Sequence, residues 1–145
     1  MADKPKHVNG TPDCPLCEVK LQQAHPDLVK WFKEKVKPSF PAAHISWSYR
    51  DKANQEQAFL DGKSKLHYPL SAHNKCDDHG NPCAMALDLF ELDFHGQASW
   101  PWGFFRDISN MNNKDACPIF WGGLWAKLGD ADHMELRLPN QGLQG

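Results

Sequence analysis

Residues His133 to Leu138 alternate. Met134, Leu136 and Leu138 fall on one side, and His133, Glu135 and Arg137 fall on the other. A period of two marks a half-buried strand. Such a strand anchors its apolar side in the core and holds His133 rigidly on the opposite side, so a ligand there loses little freedom when a metal binds. The strand closes the stretch Trp121 to Leu138, in which Asp130 precedes His133 as an Asp-x-x-His pair. A matching stretch lies upstream, Ser71 to Leu89, where His73 and Asp88 are the further residues expected on the same ion.

With 145 residues, the chain is expected to form one domain with a real core, residues 1–13 being a loose leader and 139–145 a polar tail. Six Trp and eight Phe argue for a packed globule. A formal charge of −2 and the lack of a long basic run give no case for a nucleic-acid partner. Apolar runs are too short for membrane insertion. The polar start, MADKPKHVNGTPDCP, lacks the hydrophobic centre of a secretory signal, so synthesis in a cytoplasm is expected. Five cysteines, an odd number, do not suggest a disulfide framework, whereas eight histidines make metal binding worth testing.

Cys14-Pro-Leu-Cys17 opens the ordered part of the chain. The ordinary reading is a pair of reduced, partly buried thiols. The alternatives are half of a four-cysteine zinc site completed by Cys76 and Cys83, or a redox motif. Pro26 to Lys37 reads as an amphipathic helix, with Leu28, Val29, Phe32 and Val36 inside and Lys30, Lys33, Glu34 and Lys37 on a solvated face. Ala43 to Arg50 reads as a strand with Ile45, Trp47 and Tyr49 on one side. Asp51 caps a helix over 52–61 that Gly62 ends, with Ala58, Phe59 and Gln55 turned inward. Cys76 to Cys83 is a turn-rich excursion. Ala84 to Phe90 is a second strand, with Met85, Leu87 and Leu89 on one face and Ala84, Ala86 and Asp88 on the other. A charged Asp in so apolar a strand needs a partner. Glu91 to Lys114 reads as largely irregular, its aromatic run Trp100 to Phe105 packing over the core or walling a groove. Pro118 to Leu128 reads as one or two helical turns. His7, His25, His44, His67, His79 and His95 read as surface or hydrogen-bonded residues rather than ligands.

A hydrolytic zinc site needs about three protein ligands and one open position. It also needs a carboxylate to carry a proton and a cation or donor for the developing oxyanion. His73, Asp88 and His133 answer the first need, Asp130 the second and Arg50 the third.

Five blocks in order carry a family resemblance. They are Tyr49-Arg50 with Gln55 and Gly62-Lys63-Ser64-Lys65, then Ser71-Ala72-His73-Asn74, then Ala86-Leu87-Asp88-Leu89, then Trp121-Gly122-Gly123-Leu124-Trp125, then Asp130-Ala131-Asp132-His133-Met134-Glu135. This set resembles the zinc peptidases of the D-alanyl-D-alanine carboxypeptidase family, above all the small phage endolysins that are L-alanyl-D-glutamate peptidases. The resemblance runs from about Ala43 to Leu136. It implies a small α+β fold, an antiparallel sheet with packed helices, shared with the hedgehog signalling domain. It implies Zn2+ on His73, Asp88 and His133, Asp130 as catalytic base, and Arg50 as the substrate-binding and transition-state group. Ser71 and Gln55 would be supporting positions, and Glu135 would orient a ligand. Fourteen residues separate His73 from Asp88, more than the family usually has, and the extra piece is roughly Cys76 to Cys83. That excursion is either a loop folded out of the way, closed by its own cysteine pair once oxidised, or a source of competing ligands in His79 and Asp78; the flanks SAHN and ALDL favour His73 and Asp88.

The expected function is therefore a zinc-dependent hydrolase of the peptidoglycan stem peptide, an L-alanyl-D-glutamate endopeptidase of the phage-endolysin type. The chain is expected to act as a monomer on the cell wall after release from the host cytoplasm. Trp102 or Trp125 would shape the groove. The rivals are a D-Ala-D-Ala carboxypeptidase or dipeptidase of the same family, a non-catalytic zinc-stabilised binding domain, and the four-cysteine module.

Overall fold

The structure, a computed structural model, describes residues 14–115, 117–124 and 132–137. The expected leader and tail, and with them Trp125 and Asp130, lie outside the described residues.

Among the described residues, five strands make one antiparallel sheet: β1 (Ala43–Trp47), β2 (Ala86–Leu92), β3 (Ala98–Ser99), β4 (Ile119–Trp121) and β5 (His133–Leu136). The order is β1-β2-β5-β4, and β3 pairs with the C-terminal end of β2. The helices are α1 (Pro15–Leu21), α2 (Pro26–Trp31), α3 (Lys37–Ser39), α4 (Lys52–Leu60) and α5 (Trp102–Lys114). This is the α+β architecture expected, an antiparallel sheet with packed helices.

Cross-strand pairing sorts the sheet into two faces, because directly paired residues point the same way. Ile45 pairs with Leu89, Leu87 with Met134, Ile119 with Leu136 and Trp121 with Met134. This apolar face meets Leu28, Phe32, Val36, Phe105 and Ile108 in one buried core. The other face pairs Asp88 with His133, Ala86 with Glu135 and His44 with Phe90. It too is covered: all four residues of β5 are buried. The strand expected to be half-buried is therefore buried on both sides, and its His and Glu must find partners inside the protein.

Local signals account for much of this frame. Asp51 Oδ1 accepts from the Asn54 N–H at 2.9 Å and starts α4, and Gly62 ends it at φ +75°. Ala58 and Gln55 are buried as expected, and Phe59 is partly covered.

Other segments depart from expectation. The helix from Pro26 passes through a π turn over Phe32–Val36 before α3. The wider turn slips the following residues around the axis. Lys37 is carried inward to 4 % exposure, where Nζ donates to the carbonyls of Pro41 and Ala43 at 2.9 and 2.6 Å. It is not part of a solvated face. In β1, the register shifts between Ile45 and Trp47, and Trp47 pairs with Asp88. This β-bulge moves Trp47 off the Ile45 face. The segment expected to be irregular holds α5, which buries Phe105, Ile108, Ser109 and Asn112 at helical spacing. Two of those four are polar, which thins the apolar stripe. The segment expected to be helical begins as β4, which completes the edge of β5, and then makes a 3-10 turn at Gly122–Leu124. A side chain at Gly123 would run into the Trp121 indole, which explains the small residue there.

Candidate metal centre

Three elements converge on the polar face beside the β-bulge. Asp88 comes from the middle of β2, and His133 sits opposite it at the start of β5. His73 comes from a 3-10 turn at Ala72–Asn74 that Ser71 caps. The Ser71 hydroxyl accepts from the His73 N–H, and Asn74 Oδ1 accepts from the Ser71 N–H. Ala72 and His73 are then tied to the sheet and to the end of β1: the Met85 N–H donates to the Ala72 carbonyl at 2.9 Å and the Arg50 N–H to the His73 carbonyl at 2.8 Å.

The three side chains form a near-equilateral triangle. His73 Nε2 lies 3.1 Å from Asp88 Oδ1 and 3.2 Å from His133 Nδ1, and His133 Nδ1 lies 3.2 Å from Asp88 Oδ1. All three residues are at most 4 % exposed. Ligands on a tetrahedral zinc ion stand about 3.3 Å apart, given bonds of about 2.0–2.2 Å.

The outer partners assign the tautomers. His73 Nδ1 faces the Ser48 carbonyl at 2.7 Å, and a carbonyl can only accept, so that nitrogen carries the proton. His133 Nε2 faces Glu135 Oε1 at 3.0 Å and donates to it. Nε2 of His73 and Nδ1 of His133 therefore turn lone pairs toward the carboxylate. Three electron-rich atoms this close repel unless a cation stands among them, and the donor set of two imidazoles and a carboxylate suits zinc. Orientation of each ligating imidazole by a carbonyl or carboxylate is the usual arrangement around a bound metal.

The titration behaviour agrees with that reading. Burial holds the His73 pKa below its ordinary value, although Asp88 opposes it. Burial alone would raise Asp88, but the two imidazoles beside it hold its carboxyl well below the usual range. A neutral His73 and an ionised Asp88 are the forms that a metal takes.

The supporting residues also fall together. Arg50 is 6 % exposed; one terminal nitrogen meets Asp88 Oδ2 at 3.0 Å and the other meets Gln55 Oε1 at 3.0 Å. It holds the oxygen of Asp88 that the triangle does not use. Gln55, at 0 % exposure, donates to Ser64 Oγ and to the Leu66 carbonyl. Asn74 Nδ2 donates to the Arg50 carbonyl and to Gln55 Oε1. Sequence reading missed the roles of Asn74 and of the Ser48 carbonyl. Asn74 was visible in the Ser-x-His-Asn block, but no local signal marks a backbone carbonyl as the partner of a distant imidazole.

The placement of the rival residues is equally plain. Asp78 and His79 are exposed on the Cys76–Cys83 excursion and do not join the triangle. That excursion is a tight hairpin, bridged at Cys76 and Pro82. Cys76 is exposed and Cys83 partly so, and among the described residues neither joins Cys14 and Cys17; the third member of that cluster is His44. The four-cysteine site is thereby corrected; His44, read as a surface or hydrogen-bonded residue, is buried and faces both sulfurs. Trp102 is half-exposed, its ring 4.8 Å from that of Trp121. No helix among the described residues is long and apolar enough to cross a membrane.

No family model matches the chain, and no curated protein matches it. Among solved structures, the fold is similar to that of the L-Ala D-Glu endopeptidase ChiX of Serratia marcescens, at 24 % identity over 83 % of this chain and 86 % of that one, with a TM-score of 0.65.

Proposed function

We propose that the protein is a zinc-dependent hydrolase of the peptidoglycan stem peptide, an L-alanyl-D-glutamate endopeptidase that serves as a phage endolysin. The observation that carries this reading is the buried triangle of His73, Asp88 and His133, with both imidazoles oriented by outer partners. The ordered sequence blocks, and a fold similar to that of a known L-Ala D-Glu endopeptidase, support the substrate class.

Zinc bound there supplies a Lewis acid and an acidified water. The protein's own groups do the rest. Asp130, three residues before His133, takes the proton and returns it to the leaving amine. Arg50 fixes Asp88 through Oδ2 and brings a positive charge beside the site, where negative charge develops on the scissile carbonyl oxygen. Glu135 and the Ser48 carbonyl hold the imidazoles in their metal-ready tautomers. The chain works as one domain and as a monomer, made in the host cytoplasm and acting on the wall after release.

The test is mass spectrometry of purified Gram-negative peptidoglycan after incubation with the protein, with and without a chelator. Chelator-sensitive release of peptides with a new D-Glu amino terminus is the expected result. Loss of a terminal D-Ala alone would move the protein to the carboxypeptidases. Absence of cleavage by zinc-loaded protein would favour a non-catalytic binding domain.

A further inference from the structure

We propose that Cys14, Cys17 and His44 form a second metal centre, a zinc site whose three protein ligands clamp α1 to β1. Cys14 caps α1, Cys17 lies in its first turn, and His44 projects from β1 on the polar face of the sheet. His44 Nδ1 lies 3.1 Å from Cys14 Sγ and 3.4 Å from Cys17 Sγ. A thiolate and an imidazole on one tetrahedral zinc stand about 3.6 Å apart, from bonds of about 2.3 and 2.0–2.1 Å. The side chains need to open by only a few tenths of an ångström. All three residues are buried, the two cysteines at 2 % exposure and His44 at 0 %.

Backbone N–H groups also face the two sulfurs. The Cys17 N–H points at Cys14 Sγ at 3.3 Å, and the Ile45 N–H points at Cys17 Sγ at 3.4 Å. Backbone N–H groups aimed at sulfur stabilise negative charge on it. The site is separate from the His73 triangle. His44 pairs with Phe90, two residues along β2 from Asp88, and its ring stacks on Phe90 at 5.7 Å. Its role is to fasten a short helix. Seven residues make a marginal helix on their own, and a metal linking its first turn to the sheet supplies what length does not.

The same cysteines suit a redox pair poorly. A reactive Cys-x-x-Cys needs an accessible thiol of lowered pKa. Here both thiols are buried, at 2 % exposure, out of reach of a partner disulfide.

The test is metal analysis of the whole chain, loaded with zinc and, separately, with cobalt, independent of any peptidase assay. The expected result is two ions per chain, matching the two clusters, and a thiolate-to-cobalt charge-transfer band in the near ultraviolet. Cys17→Ser should lose one ion and the band, whereas His73→Ala should lose one ion and keep the band. One ion per wild-type chain without the band would overturn the proposal, as would recovery of Cys14 and Cys17 as a disulfide from protein purified with metal present. The wild-type readouts decide the matter even if Cys17→Ser does not fold.

Discussion

Asp88 and His133 are directly paired across β2 and β5, with Asp88 Oδ1 3.2 Å from His133 Nδ1. The sheet register itself therefore sets two corners of the triangle. The other carboxylate oxygen of Asp88 meets Arg50, so one residue joins the candidate metal position to a buried guanidinium.

That connection makes Asp88→Ala more damaging to the metal-free protein than His73→Ala. Removing Asp88 leaves Arg50 buried without its counter-charge, at a cost of about 3–5 kcal/mol. His73→Ala leaves that ion pair in place. Urea unfolding of both variants in chelator checks the order. Equal losses would mean that Arg50 relaxes into water and that the pair is not a structural unit.

Glu135→Gln keeps the shape but removes the charge that His133 Nε2–H donates to. Metal affinity at the triangle should fall about 10–100-fold with little change in fold. Competition against a chromophoric chelator measures it. Unchanged affinity would remove Glu135 from the site.

The apo protein should lose stability on acidification in two stages. His73 ordinarily titrates near 6.5, and folding lowers that value. Between the folded pKa and 6.5 the unfolded chain holds a proton that the native state does not, so stability rises with pH across that window. It is fully present above 6.5 and is lost as pH falls through the lower folded value. Asp88 behaves alike below its ordinary 3.8. Unfolding free energies measured across this range should therefore fall toward acid, and His73→Gln should flatten the upper part. A wild-type curve flat from neutral pH down to the carboxylate range would contradict the buried, proton-free His73.

Gln55→Ala removes the partner of Arg50, Ser64, Asn74 and the Leu66 carbonyl from a fully buried position. Leaving such groups unsatisfied costs about 1–3 kcal/mol each, less where water enters. Thermal unfolding should show a clear drop. If Tm holds, the α4 network is not what keeps Arg50 in place.

Asp130→Asn tests the proposed base. Turnover of peptidoglycan should fall about 10²–10⁴-fold while metal content stays at the wild-type level. Full activity in the variant would assign the proton transfer elsewhere.

The sequence by itself determined the parts that depend on near neighbours. The cap at Asp51, the helical stop at Gly62 and the alternation in β2 and β5 are each carried by short runs of residues, while the grouping of His73, Asp88 and His133 came from the order of the blocks that resemble a known family. Tertiary structure decided what depends on register and on burial from both sides. The β-bulge turned Trp47 to the Asp88 side, the π turn drew Lys37 inward, and α5 formed around a stripe in which Ser109 and Asn112 replace apolar residues. The side-chain oxygen of Asn112 is satisfied because the Trp31 indole reaches it, with Nε1 to Oδ1 at 2.7 Å. His44 meets Cys14 and Cys17 across a separation of about thirty residues. Spacing along a chain cannot show such a meeting. A strand's period says which side a residue faces, but only the packed sheet says what stands on that side.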